Sequence, residues 1–292
     1  MYLQSRHLTA WKDEFHDIIR GACGGFLFGI PLLYTMEVWW IGSTATPAAM
    51  LLAILTGFVI AFLLNRTAGF RKFKDIRTTD AVMDSIKSLA IGLICTVLML
   101  TLLREITPHT PLYEILGKVL FEAVPFTIGV SLAAQLLQGS RTDNGTASQE
   151  KSFSKSTSEE INATLSDIGA TLIGALIIAF NIAPTDEVRM LAAAVQNSWL
   201  IAIIVASWLI SYLIVFEAGF SNQEKRRRQQ GIFQHPVSET IACYLVSLIA
   251  AAFMLLFFQR LSFEDPWTMW LQYSILLGLP AGIGGSAGRL AV

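Results

Sequence analysis

The chain alternates long apolar runs with short polar stretches, and the runs set its architecture. A run of about 20 apolar residues is long enough to cross a bilayer as a helix. Such runs recur at 21–42, 48–65, 84–103, 114–138, 168–184, 194–216, 238–258 and 268–290. A membrane barrel would show alternating segments of ~10 residues instead. The pattern predicts an all-α fold, a polytopic membrane helix bundle of about eight transmembrane helices. Before the first run, Leu8, Trp11, Phe15, Ile18 and Ile19 fall on one helical face, with Lys12, Asp13, His16 and Asp17 on the other. Residues 1–20 are therefore read as a cytoplasmic interfacial segment, or as a solvated extension of the first span. Their polarity leaves the first span to act as the insertion signal.

The runs fall into two copies of one unit. Gly24, Thr35, Glu37 and Val38 match Gly174, Thr185, Glu187 and Val188 at a spacing of 150, and the register holds to Ala68-Gly69-Phe70 against Ala218-Gly219-Phe220. A five-residue insertion then moves the spacing to 155. Val82, Asp84, Ser85 and Ile86 match Val237, Glu239, Thr240 and Ile241, while Pro125, Ile128, Gly129 and Ser131 match Pro280, Ile283, Gly284 and Ser286. Each unit is read as four spans, 21–138 and 166–292. An even span number makes the repeats parallel, related by a pseudo-two-fold axis along the membrane normal. Residues 139–165, rich in Ser, Thr, Asn and charge, are read as a flexible cytoplasmic linker.

Charge orients this arrangement. Of the 21 lysines and arginines, only Arg104, Lys118, Arg189 and Arg260 fall on one side of the expected spans. The others gather at the N-terminus, in the linker, in the loops that hold Arg71 to Arg77 and Lys225 to Arg228, and at the C-terminus. Positive residues concentrate in cytoplasmic loops, so both termini are expected in the cytoplasm. The mean hydropathy of +0.55 agrees with a membrane protein, and a net charge of −1 gives no sign of a nucleic-acid partner. Cys23, Cys95 and Cys243 lie far apart in apolar runs, which suggests buried free thiols.

Carboxylates at matched positions are the main candidates for chemistry. Glu37 and Glu187 sit toward the outer ends of spans one and five, and Asp84 and Glu239 at the inner ends of spans three and seven. An acid at the centre of a span costs about 2.5–3.5 kcal/mol on insertion scales, so acids that remain in spans commonly line ion pathways. Asp84 and Glu239 have a second reading as helix-capping acids favoured by the helix dipole. Glu122, in span four, follows Lys118 by one turn and is read first as half of a structural ion pair. Pro125 and Pro280 are expected to kink or break spans four and eight. Ser131 and Ser286 stand six residues further on, in a shared P-x-x-I-G-x-S pattern suited to tight packing or to an unwound, cavity-lining segment. No HExxH, nucleophile elbow or phosphate-cradling glycine loop is present. Neither catalysis, a cofactor nor a metal centre is expected.

The motifs GIPLLYTMEVWW and FNIAPTDEV, at Gly29–Trp40 and Phe180–Val188, resemble a family of prokaryotic integral membrane proteins of unknown function. The resemblance implies a multi-span protein of the cytoplasmic (inner) membrane and supplies no activity. The residues point to a channel or secondary transporter for a small inorganic cation or protons, embedded in the lipid bilayer and open to oligomer formation. In that reading Glu37 and Glu187 form an outer pair and Asp84 and Glu239 an inner pair. The alternative is a structural or sensory membrane module without transport.

Overall fold

A computed structural model describes residues 2–67, 78–138, 157–217 and 236–290. Among the described residues the secondary structure is entirely helical. The helices are α1 (Tyr2–Leu33), α2 (Met36–Thr44), α3 (Pro47–Thr67), α4 (Thr78–Leu102), α5 (Leu112–Gln138), α6 (Thr157–Ile182), α7 (Glu187–Ala194), α8 (Leu200–Tyr212), α9 (Pro236–Phe257) and α10 (Trp267–Leu290). A 3-10 turn at Asn197–Trp199 leads into α8, and a wider π turn at Leu213–Glu217 ends it. Among the described residues six helices are long and apolar enough to cross a membrane, or seven if the bent pair α1 and α2 is taken as one span. Helix α10 is not one of the six. At 24 residues it measures ~36 Å at 1.5 Å per residue, but glycines and polar residues dilute its apolar content.

The first expected span is in fact broken. Helix α1 stops at Leu33, Thr35 is extended, and α2 leaves at 90°. Pro31 removes a donor from the last turns of α1. The apolar sequence continues across the bend, which is why hydropathy alone reads it as one run. In the second half α6 ends at Ile182 and α7 begins at Glu187. Pro184 explains this stop, since the residue before a proline is steered away from helical geometry. Helix α1 is one helix from Tyr2, so the segment at 8–19 is an extension of the span in its backbone. Helix α6 begins at Thr157, so the expected linker is shorter than 139–165; the rest of it lies outside the described residues.

Pro125 and Pro280 do not break their helices: α5 and α10 run through them without interruption. Inside a bilayer an unwound turn leaves several backbone groups without water, whereas proline costs one hydrogen bond. Of the two readings of this segment, the unwound, cavity-lining one does not form, and close packing at Gly129 and Gly284 is what the helices show.

The chain divides into two compact units. One holds Met1–Thr101 and Ile106–Gly139, and the other Ser140–Phe216 and Phe220–Val292, with short segments exchanged at the junctions. In the first unit α5 is central and packs against α1, α2 and α3. In the second α10 is central and packs against α6, α7, α8 and α9. Each central helix crosses the first helix of its unit at a pair of glycines. A methyl group on Gly24 would lie 2.5 Å from the Gly129 carbonyl oxygen, and one on Gly284 would lie 2.5 Å from that of Gly174. No side chain fits in either crossing, and this close backbone approach is how small residues drive helix association in membranes. The turns after α4 and α9 also correspond. Arg104 and Gln259 take positive φ angles of 64° and 58°. The amides of Ile106 and Leu261 each reach back 3.2 Å to the carbonyls of Leu100 and Leu255, a left-handed helix cap made without glycine.

Candidate functional site

The matched acids Glu37 and Glu187 both stand in the first turn of the short helix after the bend. There the positive end of the helix dipole favours a carboxylate. Their burial differs: Glu37 is exposed, while Glu187 is only 4% exposed. Helix α7 lies on α10 and turns Glu187, Val188 and Leu191 inward. Of the tryptophans beside Glu37, Trp39 is buried and Trp40 is exposed.

Asp84 is not a cap. Helix α4 begins at Thr78, the acid in its first turn is Asp80, and Asp84 is exposed a turn further on. Glu239 does lie in the first turn of α9, where Arg289 of α10 donates to its carboxylate. The Arg289 side chain is 1% exposed, and its guanidinium carbon sits 5.7 Å from the Phe216 ring centroid. Arg289 therefore ties α9 and α10 to the turn that ends α8. Sequence reasoning missed it as a site residue and counted it as a tail charge. The available signal was an arginine closing the small-residue run Gly282–Gly288.

A second charged group lies within α5. Glu122 is 1% exposed and Lys118 is buried one turn before it. Lys118 Nζ is 2.9 Å from Glu114 Oε1, with the acid four residues ahead of the base, the favourable order on a helix. Around this helix Thr127 and Ser131 are fully buried, and among the described residues their hydroxyl oxygens have no hydrogen-bond partner. Ser286, the counterpart of Ser131, donates 2.9 Å to the Gly282 carbonyl of its own helix. Pro125 is half-buried and Pro280 buried. Two buried serines and two prolines thus occupy matched places on the central helices, although neither proline opens the backbone.

At the turn between α6 and α7 a further arginine appears. Arg260, in the loop between α9 and α10, donates 2.9 Å to Asp186 Oδ1 and also to the Pro184 carbonyl. At the other end of α7, Gln272 Nε2 donates 2.6 Å to Ala192 O and 3.1 Å to Val195 O. Ala45, the counterpart of Val195, accepts from the Tyr113 hydroxyl of α5. Both short helices are thus held at their C-terminal carbonyls by the central helix of their unit. Cys23 and Cys95 are buried, Cys243 is half-buried, and all three are free thiols. No group of three metal-ligating side chains occurs among the described residues.

Several long apolar helices, charges kept inside them and close glycine crossings define a polytopic helical membrane protein. Within that class the chain belongs to the DUF2391 family of integral membrane proteins, which it matches over residues 17–292. No curated protein and no solved structure matches it.

Proposed function

We propose that this protein provides a pathway for a small cation, protons included, across a prokaryotic cytoplasmic membrane, as a channel or secondary transporter. The observation that carries the reading is the burial of two carboxylates, Glu122 at 1% and Glu187 at 4% exposure, in an integral membrane protein. Acids are kept in such places at a cost, and those that persist mark ion pathways and proton relays. Glu37 and Asp84, both exposed, act in this reading as collecting charges near the ends of the path. The buried hydroxyls of Thr127 and Ser131 in the first unit and of Ser286 in the second supply polar surface inside each unit. The spans number eight in this proposal, in two parallel four-helix repeats with both termini cytoplasmic. The glycine crossings and left-handed caps at matched positions support the repeat, and the length of α10 supports the eighth span. The protein acts without catalysis, and its partners are the ion and the bilayer.

The test is flux of H+, Na+ and K+ into liposomes holding the purified protein. Glu122→Gln and Glu187→Gln keep side-chain shape and remove charge. Each is expected to lower flux about tenfold or more, equivalent to a barrier raised by ~1.4 kcal/mol. Full flux in the folded double variant would overturn the reading. A structural or sensory module is the second reading, favoured by the arginines that already neutralise Asp186 and Glu239. It predicts no flux of any of these ions through the unaltered protein.

A further inference from the structure

The end of α6 attracts positive charge by its construction. The helix stops at Ile182, and its last carbonyls carry the negative end of the helix dipole. Thr185 folds back on this end, with its amide at 3.1 Å and its hydroxyl at 2.6 Å from the Ile182 carbonyl oxygen. Pro184 has no amide hydrogen and offers only a carbonyl. Asp186 adds a carboxylate. Carbonyls at a broken-helix end beside a carboxylate are the kind of oxygen donors that membrane proteins use for small monovalent cations. In this protein that place is filled by Arg260, which donates to Asp186 Oδ1 at 2.9 Å and to the Pro184 carbonyl.

We propose that Arg260 is a built-in cation, holding the carbonyl-and-carboxylate site at the α6–α7 turn that a free alkali-metal ion takes when the arginine is absent. The first half lacks this device. Glu105 stands 155 positions before Arg260, and Met36 stands 150 positions before Asp186. Among the described residues no ion pair holds Glu37. The two halves are then unequal: the second carries its own counter-charge at the turn, and the first has neither the acid nor the arginine at the matching positions. The inference deepens the transport reading and rests on it for its biological meaning. Its test measures stability, so failure of binding and failure of flux are separate results.

The experiment is thermal unfolding of the full chain in detergent, in choline chloride against LiCl, NaCl and KCl at equal ionic strength. The unaltered protein and Arg260→Lys are expected to melt at the same temperature in all four salts. Arg260→Ala is expected to melt lower in choline and to regain about 2–4 °C with at least one alkali cation. Adding Asp186→Asn to that variant should abolish the gain. Arg260→Gln, which keeps a donor and removes the charge, guards against poor folding of the alanine variant and should respond in the same way. Equal melting of Arg260→Ala in all four salts would overturn the proposal, as would an equal alkali-cation gain in every variant. Failure of both neutral variants to fold in every salt would also overturn it, because a free cation would then be unable to replace the arginine.

Discussion

The Arg289 and Glu239 pair shows what a single residue does here. A guanidinium at 1% exposure is matched here by a carboxylate, and the Glu239 side chain beside it is itself only 26% exposed. Removing one partner of a buried pair leaves the other uncompensated, at a cost of about 3–5 kcal/mol. Arg289→Met is expected to fall at the lower end, about 3 kcal/mol, because Glu239 retains some contact with solvent. The double variant Arg289→Met, Glu239→Gln should recover most of the loss. Unfolding in detergent as a double-mutant cycle checks this, and additive losses would argue against the pair. Residues of this kind were half legible in the sequence. The acids stood out because carboxylates are rare in apolar runs. Their partners did not, because Arg289 near a chain end and Arg260 in a loop read equally well as orientation charges. Glu37 and Glu187 align without a gap yet differ in burial, since burial depends on what packs against a short helix and not on its own sequence.

At the scale of elements, the crossings of α1 with α5 and of α6 with α10 hold each unit together. Gly129→Ala and Gly284→Ala insert a methyl group where the opposing backbone already sits, and overpacking of this kind costs about 1–3 kcal/mol. Gly169 is the control. It lies inside α6, and an added methyl group there meets nothing within 4 Å. Gly169→Ala should be neutral or stabilising by up to about 1 kcal/mol through its effect on the unfolded chain. Melting temperatures of the three variants decide the matter; equal effects would mean that helix propensity and not the crossing is at work. The helices themselves were readable from apolar runs, with starts displaced by as much as about five turns, at α1. The bends were not. Pro125 and Pro280 drew attention because proline disfavours helix, yet the membrane enforces helix through both. The bend at Thr35 follows Pro31 closely, but the apolar sequence continues across it and so reads as one run.

For the whole molecule, the number of spans decides where the two ends lie. Six helices pass on length and apolarity alone, and seven do with the bent pair counted. Eight spans place both ends on one side, the cytoplasmic side in the proposal above, while seven place them on opposite sides. A reporter active only in the cytoplasm should work when fused to either end, and one active only outside should work at neither. A split result would remove α10 as a span. Its sequence is ambiguous for a physical reason. Every residue from Ile275 to Ser286 is buried within its unit, so α10 meets neighbouring helices instead of lipid and can carry glycine and polar groups that lower its hydropathy.

The glycine crossings also have a consequence in time. The helix that opens each unit must meet the helix that closes it, Gly24 with Gly129 and Gly174 with Gly284. Roughly a hundred residues separate the members of each pair. At a synthesis rate of ~5–20 residues per second, the opening helix waits about 5–20 s for its partner to leave the ribosome. During that interval a bare glycine stripe lies in the bilayer among the other proteins entering it. The first unit can close before the second has begun to insert, so a ribosome paused between the two would leave a finished half behind it and an unpartnered α6 ahead.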